Sequence, residues 1–162
     1  MTSIKCWQIN LQHCKAASDH LISEVVKEKT DMILFIQEPY LYKGKPILKI
    51  SNMITHYCGI NNRAVLVIPR AVTAWHINSL SNRDFITCLI EDTKGKKILC
   101  TSGYMDIRYN GDEMLSILEK ICEYARTNNY AQIMSLDTNS HSTLWNSKQN
   151  NTRGNLLEEW IL

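Results

Sequence analysis

A cluster of polar residues follows a short apolar run near the C-terminal end of the sequence. The run YAQIMSL, residues 130–136, leads into Asp137, Asn139 and His141, which occupy alternate positions. Sequence that only builds a fold rarely places a carboxylate, an amide and an imidazole together where a buried strand ends. These groups exchange protons and hydrogen-bond ions, and alternate positions of an extended segment face the same side. They are therefore candidates for chemistry at a functional site.

Three further polar residues stand at the ends of other apolar runs. Asn10 follows WQI, Glu38 follows FIQ and Tyr104 follows CTSG. In layered α/β proteins, sites are assembled at strand ends because the sheet holds these residues rigidly while the loops stay open. The three residues are therefore candidates for the same site.

Each candidate also has an ordinary structural explanation. Asp137 and Asn139 can form an Asx turn that closes a strand. Glu38 can be a solvated loop carboxylate, Tyr104 can cap the core, and Asn10 can begin a turn. A single short motif is weak evidence of function, but agreement among several strand ends favours one shared site.

The elements that must position these residues alternate between strands and helices. Apolar runs predict strands in IKCWQI (ending at Asn10), MILFIQ, residues 53–58, RAVLVI, VTAWHI, DFITCLIED, KKILCTSGY and the run into Asp137. Helical spacing predicts helices in SDHLISEVVKEKT, residues 111–128 and RGNLLEEWIL. The predicted apolar face of the first helix consists of Leu21, Ile22, Val25 and Val26.

Turn and cap signals separate these elements. Asn110 with Glu113 predicts a capping box at the start of the second helix. The two prolines and the glycine of EPYLYKGKP predict a loop, and DTKGK predicts a hairpin turn. The strand-rich order with interspersed helices predicts an α/β protein.

Length and composition are those of an ordinary globular protein. The 162 residues are a single-domain length, and 44% are hydrophobic and 21% charged. A net charge of +2 neither indicates nor excludes a nucleic-acid partner. No apolar run is long enough to span a membrane, and MTSIKCWQIN lacks the apolar core of a signal peptide. The sequence predicts a single intracellular domain, residues 1–162, without a membrane partner.

The six cysteines are scattered without any C-x-x-C pair. Several lie inside apolar strand or helix patterns, where cysteine usually behaves as a small buried hydrophobe. Their spacing predicts free thiols and neither a disulfide framework nor a zinc site.

Four motifs together resemble one known family. WQIN, IQEPY, SGY and DTNSHSTLWNS with TRGNLLEEWI, in this order, resemble the endonuclease/exonuclease/phosphatase superfamily. More narrowly they resemble the endonuclease domain of insect-type non-LTR retrotransposons, which precedes a reverse transcriptase in the same polyprotein. The resemblance implies a four-layer α/β sandwich, in which two mixed β-sheets pack face to face between helices.

The resemblance also implies a role for each strand-end residue in cleaving a phosphodiester of DNA. Glu38 is the implied ligand of Mg²⁺, with Mn²⁺ as the alternative ion. Asp137 would orient or deprotonate the attacking water, and Asn139 would hydrogen-bond the phosphate or the nucleophile. Asn10 would support the carboxylate on the metal side or the phosphate, and Tyr104 would offer its phenol to the developing oxyanion.

His141 is a further candidate for the site. The family tends to carry a histidine at this place, but local packing or bonding beside Trp145 is an equally good explanation. Asn146 stands where the family commonly has glycine, and an asparagine can adopt the same left-handed turn.

One part of the family pattern does not appear where it is expected. The family adds a further aspartate and an Asp-His pair on later strands, commonly seen as SDH, whereas here SDH occurs only at residues 18–20 in the first predicted helix. The last residues also begin an amphipathic helix that reaches Leu162. We therefore expect the last strands of the fold to be missing from these residues, and the 162-residue chain alone not to nick DNA.

The function implied by the resemblance is to nick target DNA in the nucleus so that a linked reverse transcriptase can prime on it. Two alternatives stay open: a non-catalytic remnant that at most binds DNA or protein, and another phosphoesterase of the same superfamily. The reading frame after Leu162 discriminates between them. An SDH motif followed by a reverse transcriptase favours the endonuclease, and a stop codon favours the remnant.

Overall fold

Two β-sheets of four strands each form the centre of the protein in a computed structural model, which describes residues 5–28, 32–92 and 94–162. The strands are β1 (Lys5–Asn10), β2 (Met32–Gln37), β3 (Leu41–Tyr42), β4 (Lys45–Pro46), β5 (Met53–His56), β6 (Ala64–Pro69), β7 (Thr73–His76), β8 (Phe85–Glu91), β9 (Lys97–Tyr104) and β10 (Ala131–Asp137). The helices are α1 (Lys15–Lys27), α2 (Gly111–Thr127) and α3 (Thr152–Ile161), with short 3-10 turns at Asn78–Leu80 and Thr143–Trp145.

Both sheets are mixed. The first has the strand order β1-β2-β6-β5 and the second β10-β9-β8-β7. The β1–β2 and β9–β10 pairs are parallel, and the other pairs in these sheets are antiparallel. Each parallel pair lies at one edge of its sheet. Because the two strands of a pair run in the same direction, their C-terminal ends lie at the same end of the sheet.

Three apolar clusters arrange these elements in four layers. One cluster joins α1 to the outer face of the first sheet, and one lies between the two sheets. The third joins the outer face of the second sheet to α2 and α3. The sequence-based prediction of a four-layer α/β sandwich with two mixed sheets is therefore confirmed for the described residues.

The continuous apolar runs of β2 and β6 follow from this layering. Along β2, Met32, Leu34 and Ile36 belong to the cluster that joins α1 to the first sheet. Ile33 and Phe35 belong to the cluster between the two sheets. Successive side chains of a strand point to opposite faces, so a strand covered on both faces must be apolar at every position. The strand predicted for MILFIQ has the predicted bounds.

Helix α1 differs from its prediction in start and in face. It begins at Lys15 rather than Ser18. Ser18 therefore lies inside the helix, where its hydroxyl donates a hydrogen bond to the Cys14 carbonyl (3.0 Å). Leu21 and Val25 are buried as predicted, but Val26 is 66% exposed. Neighbouring helical residues lie about 100° apart around the axis, so Val26 is turned away from the face that Val25 buries.

Helix α2 has the predicted cap. Asn110 accepts a hydrogen bond from the Glu113 backbone (2.8 Å), and the Glu113 carboxylate accepts one from the Asn110 backbone (2.9 Å). These reciprocal bonds satisfy donors that a helix N-terminus otherwise leaves open. The capping box is confirmed.

The segment EPYLYKGKP, predicted as a loop, contains the small hairpin of β3 and β4. Lys43 and Gly44 join the two strands, both with positive φ (50° and 75°). Two consecutive residues with positive φ form a tight turn whose twist matches that of paired antiparallel strands. Gly44 is therefore part of a hairpin turn and not of an irregular loop. Thr93 of the hairpin turn predicted at DTKGK lies outside the described residues, but the Asp92 N–H donates to the Lys96 carbonyl (3.0 Å) and the strands on either side are antiparallel, as a hairpin requires.

Candidate functional site

The ends of four strands from both sheets meet at one end of the molecule. Asn10 at the end of β1 donates its Nδ2 hydrogen to Asp137 Oδ2 at the end of β10 (2.7 Å), which links the two sheets. The strand registers place Gln37 beside Asn10 and Tyr104 beside Asp137. Glu38 follows Gln37 directly, so the structure brings the predicted strand-end residues to the same place.

Asn139 forms the turn that follows β10. Its backbone N–H donates to Asp137 Oδ1 (3.2 Å), and its side-chain Nδ2 donates to the Met105 carbonyl (3.0 Å). The Asx turn considered as an alternative is therefore present. This turn uses only Asp137 Oδ1 and does not explain why Oδ2 accepts a hydrogen bond from Asn10 on the other sheet. The Asx turn is therefore compatible with a functional site at Asp137.

Glu38 is held in a backbone conformation that glutamate usually avoids, with φ = +46°. Its N–H donates to the Arg63 carbonyl (2.7 Å) and its carbonyl accepts from the His13 N–H (2.8 Å). Its carboxylate lies 3.5 Å from His13 Nε2. Gln12 and His13 also have positive φ (49° and 54°). Such residues cost about 1–3 kcal/mol each and cluster at active sites and ligand clamps.

His13 is a neighbour that sequence patterns did not indicate. Its Nδ1 lies 3.0 Å from the Pro39 carbonyl, and it donates a hydrogen bond there when it carries the proton. Nε2 then faces the Glu38 carboxylate. His13 lies in the loop after β1 and belongs to no recognisable sequence motif. Its place at the site is apparent only from its contact with Glu38.

Tyr104 lies against an ion cluster that links the two sheets. The Arg63 guanidinium lies 5.0 Å from the Tyr104 ring centroid, donates two hydrogen bonds of 2.6 Å to Asp84, and also pairs with Asp106. Burial alone raises the pKa of the Asp84 carboxyl, but the hydrogen bonds from Arg63 and Tyr109 bring it below its ordinary value. Sequence patterns assigned Arg63 to a core strand, and it instead supports Tyr104.

A buried amide lies beneath the site. Gln37 is fully buried, and its Nε2 donates to Ser102 Oγ and to the Ser135 carbonyl, both at 3.1 Å. Ser102 Oγ in turn donates to the Ile36 carbonyl (3.2 Å). A buried polar group costs free energy unless it is hydrogen-bonded, and these bonds can form only when the two sheets are packed. Gln37 therefore fixes one sheet against the other directly below Glu38.

Arg153 of α3 joins the two loops that carry the site. Its guanidinium donates to the carbonyls of Thr138 after β10 and Asp106 after β9, both at 2.7 Å, and to that of Met105 at 3.3 Å. Burial lowers the pKa of this guanidinium, against the opposing effects of Asp137 and Tyr104. The sequence patterns did not indicate a functional role for this arginine.

His141 is exposed, unlike the strand-end residues. Its backbone N–H donates to Asn151 Oδ1 (3.0 Å), and its side chain lines an open pocket that none of the five strand-end candidates lines. Trp145 packs against the apolar cluster that joins the second sheet to α2 and α3, and it donates Nε1 to the Ser140 carbonyl (3.2 Å), so it anchors the loop. Asn146 has the predicted left-handed φ of 63°.

The donor atoms at the strand ends suit a hard cation with few protein ligands. Glu38 offers a carboxylate, and no group of three histidine, cysteine, aspartate or glutamate side chains gathers around it within the described ranges. Mg²⁺ prefers oxygen and keeps several waters while bound through one or two carboxylates. The chemistry of these donor atoms fits such an ion, for which Glu38 would be the protein ligand.

This fold is similar to that of three solved proteins, and the fold implied by the sequence motifs is thereby confirmed. The endonuclease domain of TRAS1, a telomere-specific non-LTR retrotransposon, matches with a TM-score of 0.80 and 22% identity, over 98% of this chain and 69% of that one. The AP endonuclease LMAP from Leishmania major matches with a TM-score of 0.58 and 14% identity, over 85% of this chain and 55% of that one.

The human Nocturnin catalytic domain, solved with bound sulfate, matches with a TM-score of 0.56 and 14% identity. The match covers 85% of this chain and 64% of the Nocturnin chain. No protein-family model and no curated protein sequence matches the chain. In the part of the chain that the structure describes, no helix is long and apolar enough to cross a membrane.

Proposed function

We propose that the chain belongs to a Mg²⁺-dependent DNA endonuclease that nicks its target by hydrolysing a phosphodiester bond. The observation that carries this proposal is the Asn10–Asp137 hydrogen bond at 2.7 Å, which joins two sheets beside the strained Glu38. A fold held together only by its core has no need for a carboxylate, an amide and a strained glutamate at one shared end.

The strand-end side chains have the donors and acceptors that phosphodiester hydrolysis requires. Asn10 and the Asn139 backbone each bond one oxygen of Asp137. Each carboxylate oxygen accepts more than one hydrogen bond, so Asp137 retains lone pairs with which to orient a water or accept its proton.

The remaining groups act on the phosphate. Asn139 keeps one amide hydrogen beyond the one it gives to Met105, and it can donate this to a phosphate oxygen. The Tyr104 phenol is a second donor, and the Arg63 guanidinium packs over its ring, 5.0 Å from the ring centroid. A Mg²⁺ ion on Glu38, or Mn²⁺ in its place, would supply positive charge against the phosphate.

The substrate proposed is duplex DNA at the integration site of a retrotransposon, with a reverse transcriptase of the same polyprotein as partner in the nucleus. The fold match to the TRAS1 endonuclease domain supports this choice, because that match extends over 98% of the chain. The matches to LMAP and Nocturnin are consistent with another phosphoesterase, and they cover 85% of the chain.

The test is nicking of supercoiled plasmid in Mg²⁺ by the 162-residue chain and by the product of its reading frame continued past Leu162. We expect the product that carries the complete site to nick the plasmid only when Mg²⁺ is present. Loss of a group that transfers a proton or stabilises charge at the scissile phosphate costs on the order of a hundredfold or more in rate. Asp137→Ala and Glu38→Gln should each lower nicking by the longer product by a similar factor.

The matched control is Asp19→Ala, which removes an exposed carboxylate of α1 whose partner is Lys15 (2.7 Å). This variant should nick at the wild-type rate. A longer product that binds DNA in a gel-shift assay yet leaves it supercoiled would contradict the endonuclease and favour the non-catalytic alternative. Cleavage of a phosphate ester of a lipid or nucleotide in preference to plasmid would favour another phosphoesterase.

A further inference from the structure

Two histidines and a cysteine meet at the edge of the sandwich opposite the candidate site. The ligand atoms of His56, His76 and Cys88 all lie within 4.8 Å of one another. His56 belongs to β5 at the far edge of the first sheet, and His76 to β7 at the far edge of the second. Asn10 and Asp137 lie on β1 and β10, at the opposite edges of the same sheets.

The strand registers turn all three side chains into the space between the sheets. His56 pairs with Leu66, and His76 pairs with Cys88. Directly opposite residues of antiparallel strands point to the same face, and Leu66 and Cys88 both belong to the apolar cluster between the sheets. The two imidazole rings approach to 6.2 Å between centroids from opposite sheets.

Both imidazoles have a nitrogen without a partner. His56 Nε2 and His76 Nε2 are buried and make no hydrogen bond with the described residues. Buried polar atoms of native proteins are nearly always paired, so two orphaned nitrogens side by side need an explanation. A metal ion that accepts both lone pairs would supply one.

We propose that His56, His76 and Cys88 form a zinc site that joins the free edges of the two sheets. Zn²⁺ binds imidazole nitrogen and thiolate sulfur and is commonly four-coordinate. Three protein ligands leave one position for a water or another small ligand. The choice of ion follows from the soft sulfur ligand, which Mg²⁺ does not take.

The protonation of the three groups is compatible with this site. Burial lowers the pKa of both imidazoles, with His76 as a further cause for His56, and the neutral form is the one that ligates a metal. Burial raises the pKa of the Cys88 thiol to about 12 in the metal-free protein. Binding therefore breaks the S–H bond, forms a Zn–S bond and releases the proton to solvent.

The scattered cysteines had predicted no zinc site, because none forms a C-x-x-C pair. The proposed ligands instead come from three strands far apart in sequence and meet only through the packing of the sheets. The proposal does not rest on the nuclease function, since its readouts are metal binding and stability.

The test is titration of the metal-free 162-residue chain with Co²⁺ and Zn²⁺. We expect one equivalent of Co²⁺ to give a thiolate-to-cobalt charge-transfer band that Zn²⁺ then abolishes. Cys88→Ala should remove the band. His76→Gln, at a half-buried edge position, should weaken metal binding at least about tenfold. Zn²⁺ should also raise the melting temperature of the wild-type chain.

Cys100→Ala is the matched control. Cys100 is buried as completely as Cys88 and pairs with it across β8 and β9, but it lies outside the three-ligand group. This variant should keep the cobalt band and the zinc-induced rise in melting temperature. A wild-type chain without the band, or equal loss in Cys100→Ala and Cys88→Ala, would overturn the proposal.

Discussion

Single residues at the strand ends adopt backbone conformations that their side chains ordinarily avoid. Gln12, His13, Glu38 and Asn139 all have positive φ, and they lie in the loops that follow β1, β2 and β10. Asparagine and histidine adopt this region more readily than glutamate and glutamine do. The strain is held by hydrogen bonds such as those of the Glu38 backbone to Arg63 and His13.

We predict that Glu38→Gly is more stable than Glu38→Ala. Both variants lose the carboxylate and its contact with His13, but only glycine relieves the positive φ. The difference in the free energy of unfolding should be about 1 kcal/mol in favour of glycine, measured by urea denaturation.

Both Glu38 variants should also lose Mg²⁺-dependent nicking when placed in the longer product, because neither retains the carboxylate. Equal stabilities of the two variants would show that the backbone at Glu38 carries no strain.

At the scale of elements, α3 holds the two site loops in place. Its N-cap residue Asn151 accepts hydrogen bonds from the Gly154 and His141 backbones (2.7 and 3.0 Å). Arg153 adds bonds to the loops after β9 and β10. The start of this helix therefore positions Asn139 and its neighbours, although the helix contributes no strand-end residue itself.

We predict that Gly154→Ala loosens this contact. A Cβ at Gly154 would lie 1.8 Å from the His141 carbonyl oxygen, which is backbone and cannot rotate away. The substitution should lower the free energy of unfolding by about 1–3 kcal/mol or more, as overpacking does. Urea denaturation measures the change, and the exposed Glu159→Ala on the same helix should change stability by less than about 0.5 kcal/mol. Equal effects of the two substitutions would mean that the close contact is absent.

At the scale of the whole molecule, polar groups as well as apolar packing join the two sheets. Arg63 precedes β6 of the first sheet, whereas Asp84 and Asp106 flank β8 and β9 of the second. Gln37 adds hydrogen bonds from the first sheet to Ser102 and Ser135. These contacts lie at the same end as the candidate site and keep its two halves in register.

We predict that Asp84→Asn destabilises the protein by about 3 kcal/mol at neutral pH. Breaking a buried ion pair costs about 3–5 kcal/mol, and Asp106 still faces Arg63 in the variant. The exposed Asp19→Asn should cost less than about 1 kcal/mol. Denaturation at a series of pH values measures both.

The pH dependence follows from the lowered pKa of Asp84 in the folded protein. A carboxyl whose folded pKa is depressed contributes stability above its ordinary pKa of 3.8 and loses it as the pH falls through the folded value. The stability difference between wild type and Asp84→Asn should therefore stay constant from neutral pH to about pH 5 and shrink below about pH 4. A difference that is unchanged in acid would contradict the lowered pKa.

The sequence by itself determined most elements and their order. The buried strand at 32–37, the capping box at Asn110 and the hairpin turn before β9 follow from local patterns, because apolar spacing and turn chemistry are properties of neighbouring residues. The strand-end positions of Asn10, Glu38, Tyr104, Asp137 and Asn139 were predicted from the same patterns.

Only the tertiary structure decided which of these residues touch and what supports them. The Asn10–Asp137 bond joins residues 127 positions apart, and Arg63, Gln37 and Arg153 become partners of the site through sheet and helix packing. The same holds for His56, His76 and Cys88, whose spacing in the sequence indicates nothing. Contacts between distant segments depend on strand order, register and the face each side chain takes, and a change of register by one residue would reverse every face.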